Sequence, residues 1–329
     1  MRILLTESAA RSYGERLAAV HHDAELVTIG PEGVLALADG TTLERDGTGA
    51  EVAWATSDLY DGGSSVIRPF FGLVRRLDGL RWFQSSAAGF EHPVFAELIR
   101  RGVLFTKSDV HAIPIAEYVL RAVLDHLQQP ERWADAQRRR RWAPHEFAEV
   151  ASSTWVVVGF GSIGARVADL ARALGATVIG VRRHPEPVDG VEMVTPDGLA
   201  SVLRRADVVV LCAPANASTR HLVDPSFLAA MKPGSLLVNI GRGSIVDEAA
   251  LVAALDSGPI GAAVLDVFET EPLPRSSPLW HHPQVTVSPH SSGSSIARAD
   301  RQADLFSENL GRFVSGERLR NLVTESDLD

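Results

Sequence analysis

Three residues in the C-terminal half have the types and the setting for chemistry: Arg242 in "NIGRGSIVDEAAL", Glu271 in "LDVFETEPLP" and His290 in "VTVSPHSSG". Each follows an apolar run that reads as a β-strand. Ligands of open α/β sheets gather beyond the carboxyl ends of strands, so these side chains and Asp266 could converge on one crevice. There a guanidinium holds a carboxylate and polarises a keto oxygen, while a histidine gives that oxygen a proton and a neighbouring acid favours the charged ring. The set suits hydride transfer to a keto acid. Plainer readings stand beside it. Arg242, free to turn between Gly241 and Gly243, could bridge to Asp247; Glu269 is a rival acid; His21–His22 and His281–His282 are further histidines, of ordinary loop type. No histidine has metal-ligand spacing with acids or with the one cysteine, and no metal is expected.

Positioning such residues takes strands and helices in alternation. Strands are expected at "RILLTE", "AELVTIG", "EVAWATS", "LRWFQSS" and "VLFTKS", with helices at "ARSYGERLAAV" and at "HPVFAELIRRG", the latter stopped by Gly102. A long helix, "IPIAEYVLRAVLDHLQQ", leads into a polar arm with Trp133, Trp142 and four arginines at 138–141, which read as a solvated helix face or a subunit contact rather than a nucleic-acid site. A second series puts strands at 155–158, 177–181, 207–212, 235–240, 261–267 and 285–287, and "RADRQADLFSENLGRFVSG" closes the chain as an amphipathic helix. The fold class is therefore α/β: two Rossmann-like domains with parallel sheets, the C-terminal helix returning to the first.

The second series opens on "VVVGFGSIGARVADLARALG", where Gly159, Gly161 and Gly164 lie between a strand and a helix. The glycines supply a tight turn, backbone access to a pyrophosphate and close helix–strand packing, and the amides of Ser162, Ile163 and Gly164 head the helix. This is a dinucleotide site. About 20 residues on, where an acid would read the ribose hydroxyls of NAD, stand Arg182 and Arg183 followed by His184. An acid repels a 2′-phosphate and a guanidinium grips one, so NADP(H) is preferred and NAD(H) remains possible. Two surface arginines with no such role are the alternative.

Composition agrees with a soluble globular chain. Its 329 residues suit two domains, and a net charge of −9 argues against nucleic-acid or membrane-surface partners. The N-terminus turns polar too early for a signal peptide and no apolar run would span a bilayer, so a cytoplasmic protein is expected. Of 32 basic residues only Lys107 and Lys232 are lysine, and Cys212, ending "VVVLCAP", reads as a small core residue.

Taken together, these motifs resemble those of the D-isomer-specific 2-hydroxyacid dehydrogenase family. The resemblance runs along nearly the whole chain, from "QSSAAGFEH" to "SPHSSG", and is most specific in "LAAMKPGSLLVNIGRGSIVDEAALVAAL". It implies a catalytic set of Arg242, Glu271 and His290, with Asp266 at the nicotinamide end, Ala213 and Pro214 in the phosphate-side loop, and Ala88 and Gly89 holding the substrate carboxylate by their amides alongside Arg242 and His290. The family's spacing selects Glu271 over Glu269. It further implies a D-2-hydroxy acid product and a small 2-keto acid substrate such as glyoxylate or hydroxypyruvate, reduced in a cleft whose closure excludes water. A substrate (flavodoxin-like) domain over 1–105 plus about 295–329, a cofactor domain over 106–294 and a homodimer through an arm at about 128–152 are implied as well. The side-chain pocket is expected from loops around Trp54 to Tyr60 and Ser291 to Ser292. Departures are Ile115, where the family often has threonine, and "CAPANAST" in place of a proline–leucine–threonine loop; formate dehydrogenases use glutamine where Glu271 stands. The competing reading is a dinucleotide-sensing, corepressor-like interaction protein.

Overall fold

Long β-branched runs such as "TWVVV" and "VVVL" favour strands buried on both faces. A computed structural model of the chain, describing residues 1–44, 48–60, 64–90 and 92–328, puts them at the centre of a sheet. Glu91, in the "QSSAAGFEH" loop, lies outside the described residues. The chain divides into two units, 1–110 with 296–329 and 111–295.

In the first unit the elements run β1 (Arg2–Thr6), α1 (Glu7–Val20), β2 (Glu25–Ile29), β3 (Leu35–Leu37), β4 (Thr42–Leu43), β5 (Ala50–Ala55), α2 (Ile67–Val74), β6 (Trp82–Ser85), α3 (Pro93–Arg100) and β7 (Leu104–Thr106). The second unit follows with α4 (Ala112–Gln128), α5 (Pro130–Arg138), β8 (Thr154–Val158), α6 (Ser162–Ala173), β9 (Thr177–Val181), β10 (Val191–Val194), α7 (Leu199–Leu203), β11 (Val208–Leu211), α8 (Pro225–Ala230), β12 (Leu236–Asn239), α9 (Glu248–Ser257), β13 (Ala262–Leu265) and β14 (Val285–Val287). The chain then returns to the first unit through α10 (Arg298–Ser315) and β15 (Leu322–Val323).

The first sheet has the order β15-β7-β6-β5-β1-β2-β3-β4. Its centre is parallel, and β3, β4 and β15 are antiparallel additions that the sequence reading does not contain. They are two or three residues long, too short to show a period. Alternate residues face different cores: Leu4, Ala53 and Phe83 on one side, Ile3, Leu5, Trp54 and Trp82 on the other. On that second side Phe306 of α10 stacks on Trp54 and Trp82 at ring separations of 4.4 and 4.9 Å, which gives the last helix its apolar reason to return. Trp54 is thus 1% exposed and belongs to the core, a correction to its expected place in a substrate pocket.

The second sheet is wholly parallel, in the order β10-β9-β8-β11-β12-β13-β14. Val156, Ile179 and Val209 pack on one face, Trp155, Val157, Val178 and Val210 on the other, as a period of two requires. Strand order reverses direction between β8 and β11, which opens a crevice at their carboxyl ends. The arm carries a helix, α5, begun by Pro130, whose Arg138 and Arg139 pair with Asp135 at 3.4 and 2.9 Å. No helix among the described residues is long and apolar enough to cross a membrane.

Candidate active site

At the reversal point the glycine motif closes on the neighbouring strand. Gly159 has φ +95°, and a Cβ placed on it would lie 2.4 Å from the Ala213 amide nitrogen; a Cβ on Gly164 would lie 2.3 Å from the Gly159 carbonyl oxygen. Neither position admits a side chain. Gly161 differs, because a Cβ there meets nothing within 4 Å, so the backbone at the head of α6 borders open space. An open approach beside the first amides of a helix fits a dinucleotide pyrophosphate. Ser162 and Gly161 are exposed, Ile163 half-buried, Ala213 buried and Pro214 exposed, so the loops ending β8 and β11 both border that space. The β11 loop builds itself: Asn216 Oδ1 accepts from the Ser218 and Thr219 amides at 2.9 and 3.1 Å, and Thr219 Oγ1 donates to the Pro214 carbonyl at 2.7 Å. Asn216 thereby supplies the turn in this departure from the family pattern. Burial pushes the neighbouring Cys212 thiol up to about 12, leaving no thiolate near neutral pH.

Arg182 and Arg183 leave the end of β9 and are exposed. The Arg182 amide donates to the Val194 carbonyl at 3.1 Å, and its guanidinium has no ion-pair partner among the described residues.

Arg242 follows β12, Asp266 follows β13 and His290 follows β14, so three adjacent parallel strands deliver them to one edge. The Arg242 turn is shaped by Asn239, 1% exposed, whose Oδ1 accepts from the Gly241 amide at 3.1 Å while its Nδ2 donates to the Arg242 carbonyl at 3.0 Å. Arg242 Nη1 donates to the Gly241 carbonyl at 2.8 Å. Asp247 caps α9 through the Ala250 amide. Gly243 lies so close to the next segment that a Cβ would come 1.8 Å from the Phe268 carbonyl carbon, and this contact ties the Arg242 turn to the chain carrying Glu271.

Glu271 accepts from the Phe268 amide at 3.0 Å with one oxygen and meets His290 Nδ1 at 2.8 Å with the other. Glu269 takes a different partner, His221 Nε2, at 2.6 Å. The Glu271–Pro272 peptide bond is cis. An ionised carboxylate only accepts, so His290 Nδ1 carries a proton toward Glu271, and Nε2 has no partner among the described residues. Asp266 is 1% exposed. Its Oδ1 accepts from Ser288 Oγ at 2.6 Å and the Ser291 amide at 2.8 Å, and its Oδ2 accepts from the Ser292 amide at 3.0 Å. The carboxylate thus folds the His290 loop, a part that a spacing argument does not reveal.

In the first unit, the loop with Ala88 and Gly89 leaves β6. Trp54 Nε1 donates to Ser86 Oγ at 3.3 Å, Gln302 Nε2 donates to the Ser86 carbonyl at 3.0 Å, and the Ser108 amide donates to the Ala87 carbonyl at 3.0 Å. Among the described residues nothing accepts from the amides of Ala88 and Gly89.

Three comparisons bear on this geometry. The family model described as D-isomer specific 2-hydroxyacid dehydrogenase, NAD binding domain, matches residues 120–292. A glyoxylate reductase of Aeropyrum pernix is 34% identical over 268 residues, which is 76% of this chain and 78% of that protein. Among solved structures, a D-isomer specific 2-hydroxyacid dehydrogenase from Xanthobacter autotrophicus in complex with NADPH and MES gives a TM-score of 0.77 at 28% identity, covering 100% of this chain and 99% of the other. An NADPH-dependent glyoxylate/hydroxypyruvate reductase from Sinorhizobium meliloti, in complex with NADP and sulfate, gives 0.77 at 26% identity with the same coverage.

Proposed function

Because the chain belongs to the D-isomer specific 2-hydroxyacid dehydrogenase family, and so is an NAD(P)-dependent oxidoreductase of 2-keto and D-2-hydroxy acids, we propose that it reduces glyoxylate, hydroxypyruvate or a similar small keto acid with NADPH. The observation that carries the reading is the Glu271–His290 pair at 2.8 Å, on the sheet edge that also presents Arg242. When bound, the reduced nicotinamide supplies the hydride. His290 Nε2 gives its proton to the keto oxygen, and Glu271 holds the opposite nitrogen and stabilises the charged ring before transfer. The Arg242 guanidinium binds the substrate carboxylate and polarises the keto group. In the first unit, the open amides of Ala88 and Gly89 offer a carboxylate two donors.

Preference for NADPH is supported by Arg182 and Arg183 at the exit of β9 and by the NADPH and NADP in the two solved relatives. A homodimer through the arm is supported by the aromatics exposed there, Trp142 most of all at 98%.

The test is a steady-state matrix of NADPH and NADH against glyoxylate, hydroxypyruvate, pyruvate and phenylpyruvate. Turnover with NADPH on one of the first two is expected, and Arg242→Ala and His290→Ala each lower kcat/KM by roughly 100-fold or more with the fold retained. Near-normal rates in either variant remove the assignment. NADPH binding without turnover of any acid favours the sensing role instead.

A further inference from the structure

His290 has φ +49°, a left-handed conformation that is strained for a non-glycine residue and persists only when its surroundings enforce it. The Ser288 carbonyl accepts from the His290 amide at 3.1 Å, and Asp266 holds the loop at more points. Asp266 takes the His290 amide on its carbonyl at 2.8 Å and the Ser291 and Ser292 amides on its carboxylate at 2.8 and 3.0 Å. The carboxylate is buried, so its own orientation depends on every donor that reaches it. One of these is Ser288 Oγ at 2.6 Å. A serine hydroxyl has a single proton, and Asp266 receives it.

The contact of 2.7 Å between Ser288 Oγ and the Tyr118 hydroxyl therefore has one possible direction, with Tyr118 donating. Burial holds the Tyr118 phenol above its ordinary range, so it remains a donor at any working pH. The start of α4 and its cap residue also meet this loop. A Cβ on Gly293 would lie 3.1 Å from His111 Nδ1 and 3.6 Å from Ile115 Cδ1, which places His111, Ile115 and Tyr118, on one face of the helix, against residues 288–293.

We propose that Tyr118 is a positioning residue for His290, acting through Ser288 and Asp266. The inference rests on the proposed catalytic role of His290. Loss of the phenol hydroxyl leaves Ser288 Oγ without its donor and held by its bond to Asp266 alone, so the loop is less firmly fixed and the productive orientation of the imidazole is populated less of the time. Tyr118 touches neither nicotinamide nor keto acid in this scheme, so the loss falls on the chemical step.

Tyr118→Phe is expected to lower kcat about 3- to 10-fold, the worth of one neutral hydrogen bond, with KM for NADPH changed less than about two-fold. Ser288→Ala should match it, Ser288→Thr should restore the rate, and the double variant Tyr118→Phe/Ser288→Ala should be no slower than Ser288→Ala alone. The same contact is read without catalysis by the ring resonances of His290, assigned by their absence in His290→Ala; Tyr118→Phe should shift or broaden them. A Tyr118→Phe enzyme with wild-type kcat and an unchanged His290 resonance overturns the proposal. So does an equal loss in kcat and NADPH affinity, which marks a general structural defect. If His290→Ala retains full activity, the proposed function falls, and the resonance still decides whether Tyr118 orders the ring.

Discussion

Replacing Arg182 and Arg183 with alanine separates the two cofactors at single-residue resolution. The 2′-phosphate is the only group by which NADPH differs from NADH, and charge-assisted hydrogen bonds to it are worth about 1.5–3 kcal/mol. KM for NADPH should therefore rise roughly 10- to 100-fold in the double variant, with KM for NADH changed about two-fold or less. Equal rises would mean that the arginines serve only the surface. Their place at a strand exit was legible from the spacing after Gly164, and β9 does end at Val181, one residue before Arg182. The acid beside His290 was not legible from residue types. Glu269 and Glu271 look alike in the sequence, and only folding shows that His221 takes the first while the Phe268 amide and His290 take the second. Tyr118 was illegible for a stronger reason, since its partner lies 170 positions away.

At the scale of elements, the strand-end turns are held by backbone proximity as much as by side chains. Gly243 and Gly161 make a contrast. An alanine at 243 puts its methyl group into the Phe268 backbone, where no flexible atom can yield, whereas at 161 it enters open space. Gly243→Ala should destabilise the cofactor-free protein by about 1–3 kcal/mol or more, or roughly 2–4 °C per kcal/mol in the melting temperature. Gly161→Ala should leave that temperature unchanged and weaken NADPH binding. A thermal melt without cofactor and a cofactor titration decide both, and a stable, fully active Gly243→Ala protein would refute the reading of this turn. The strands themselves were legible because continuous β-branched runs have few other uses, and most expected ends lie within two residues of those observed. What escaped were β3, β4, β10, β15, α2 and the extent of α5. The strands are only two to four residues long, α2 is an eight-residue helix in a largely apolar segment, and α5 buries no residue, so none of them shows a clear period.

For the whole molecule, the surface that needs explaining is the arm. A chain of net charge −9 has ample polar material to cover its surface, yet Trp142 is 98% exposed, Phe147 48% and Trp133 38%, all in one stretch. Trp133 packs on His145 at 4.6 Å and edge-on to Phe147 at 5.8 Å, so two of the three already form a preordered aromatic cluster. Beside it an open hollow is lined by His126, Gln129, Arg132, Phe147 and Asp207. Rigid aromatics next to a concave, partly charged surface are the composition of an interface core, and with two copies of one chain the arm of each can fill the hollow of the other. The expected species is a dimer of the 35.4 kDa chain in sedimentation equilibrium. Trp142→Ser together with Phe147→Ser removes large anchors, each of which is worth about 2 kcal/mol or more where it is central to an interface, so the dissociation constant should rise by at least roughly 100-fold. The Tyr118, Asp266 and Glu271 contacts lie within one chain, so a stable monomeric variant should keep its turnover per chain; a monomeric wild-type protein at micromolar concentration would leave the arm without the partner proposed for it.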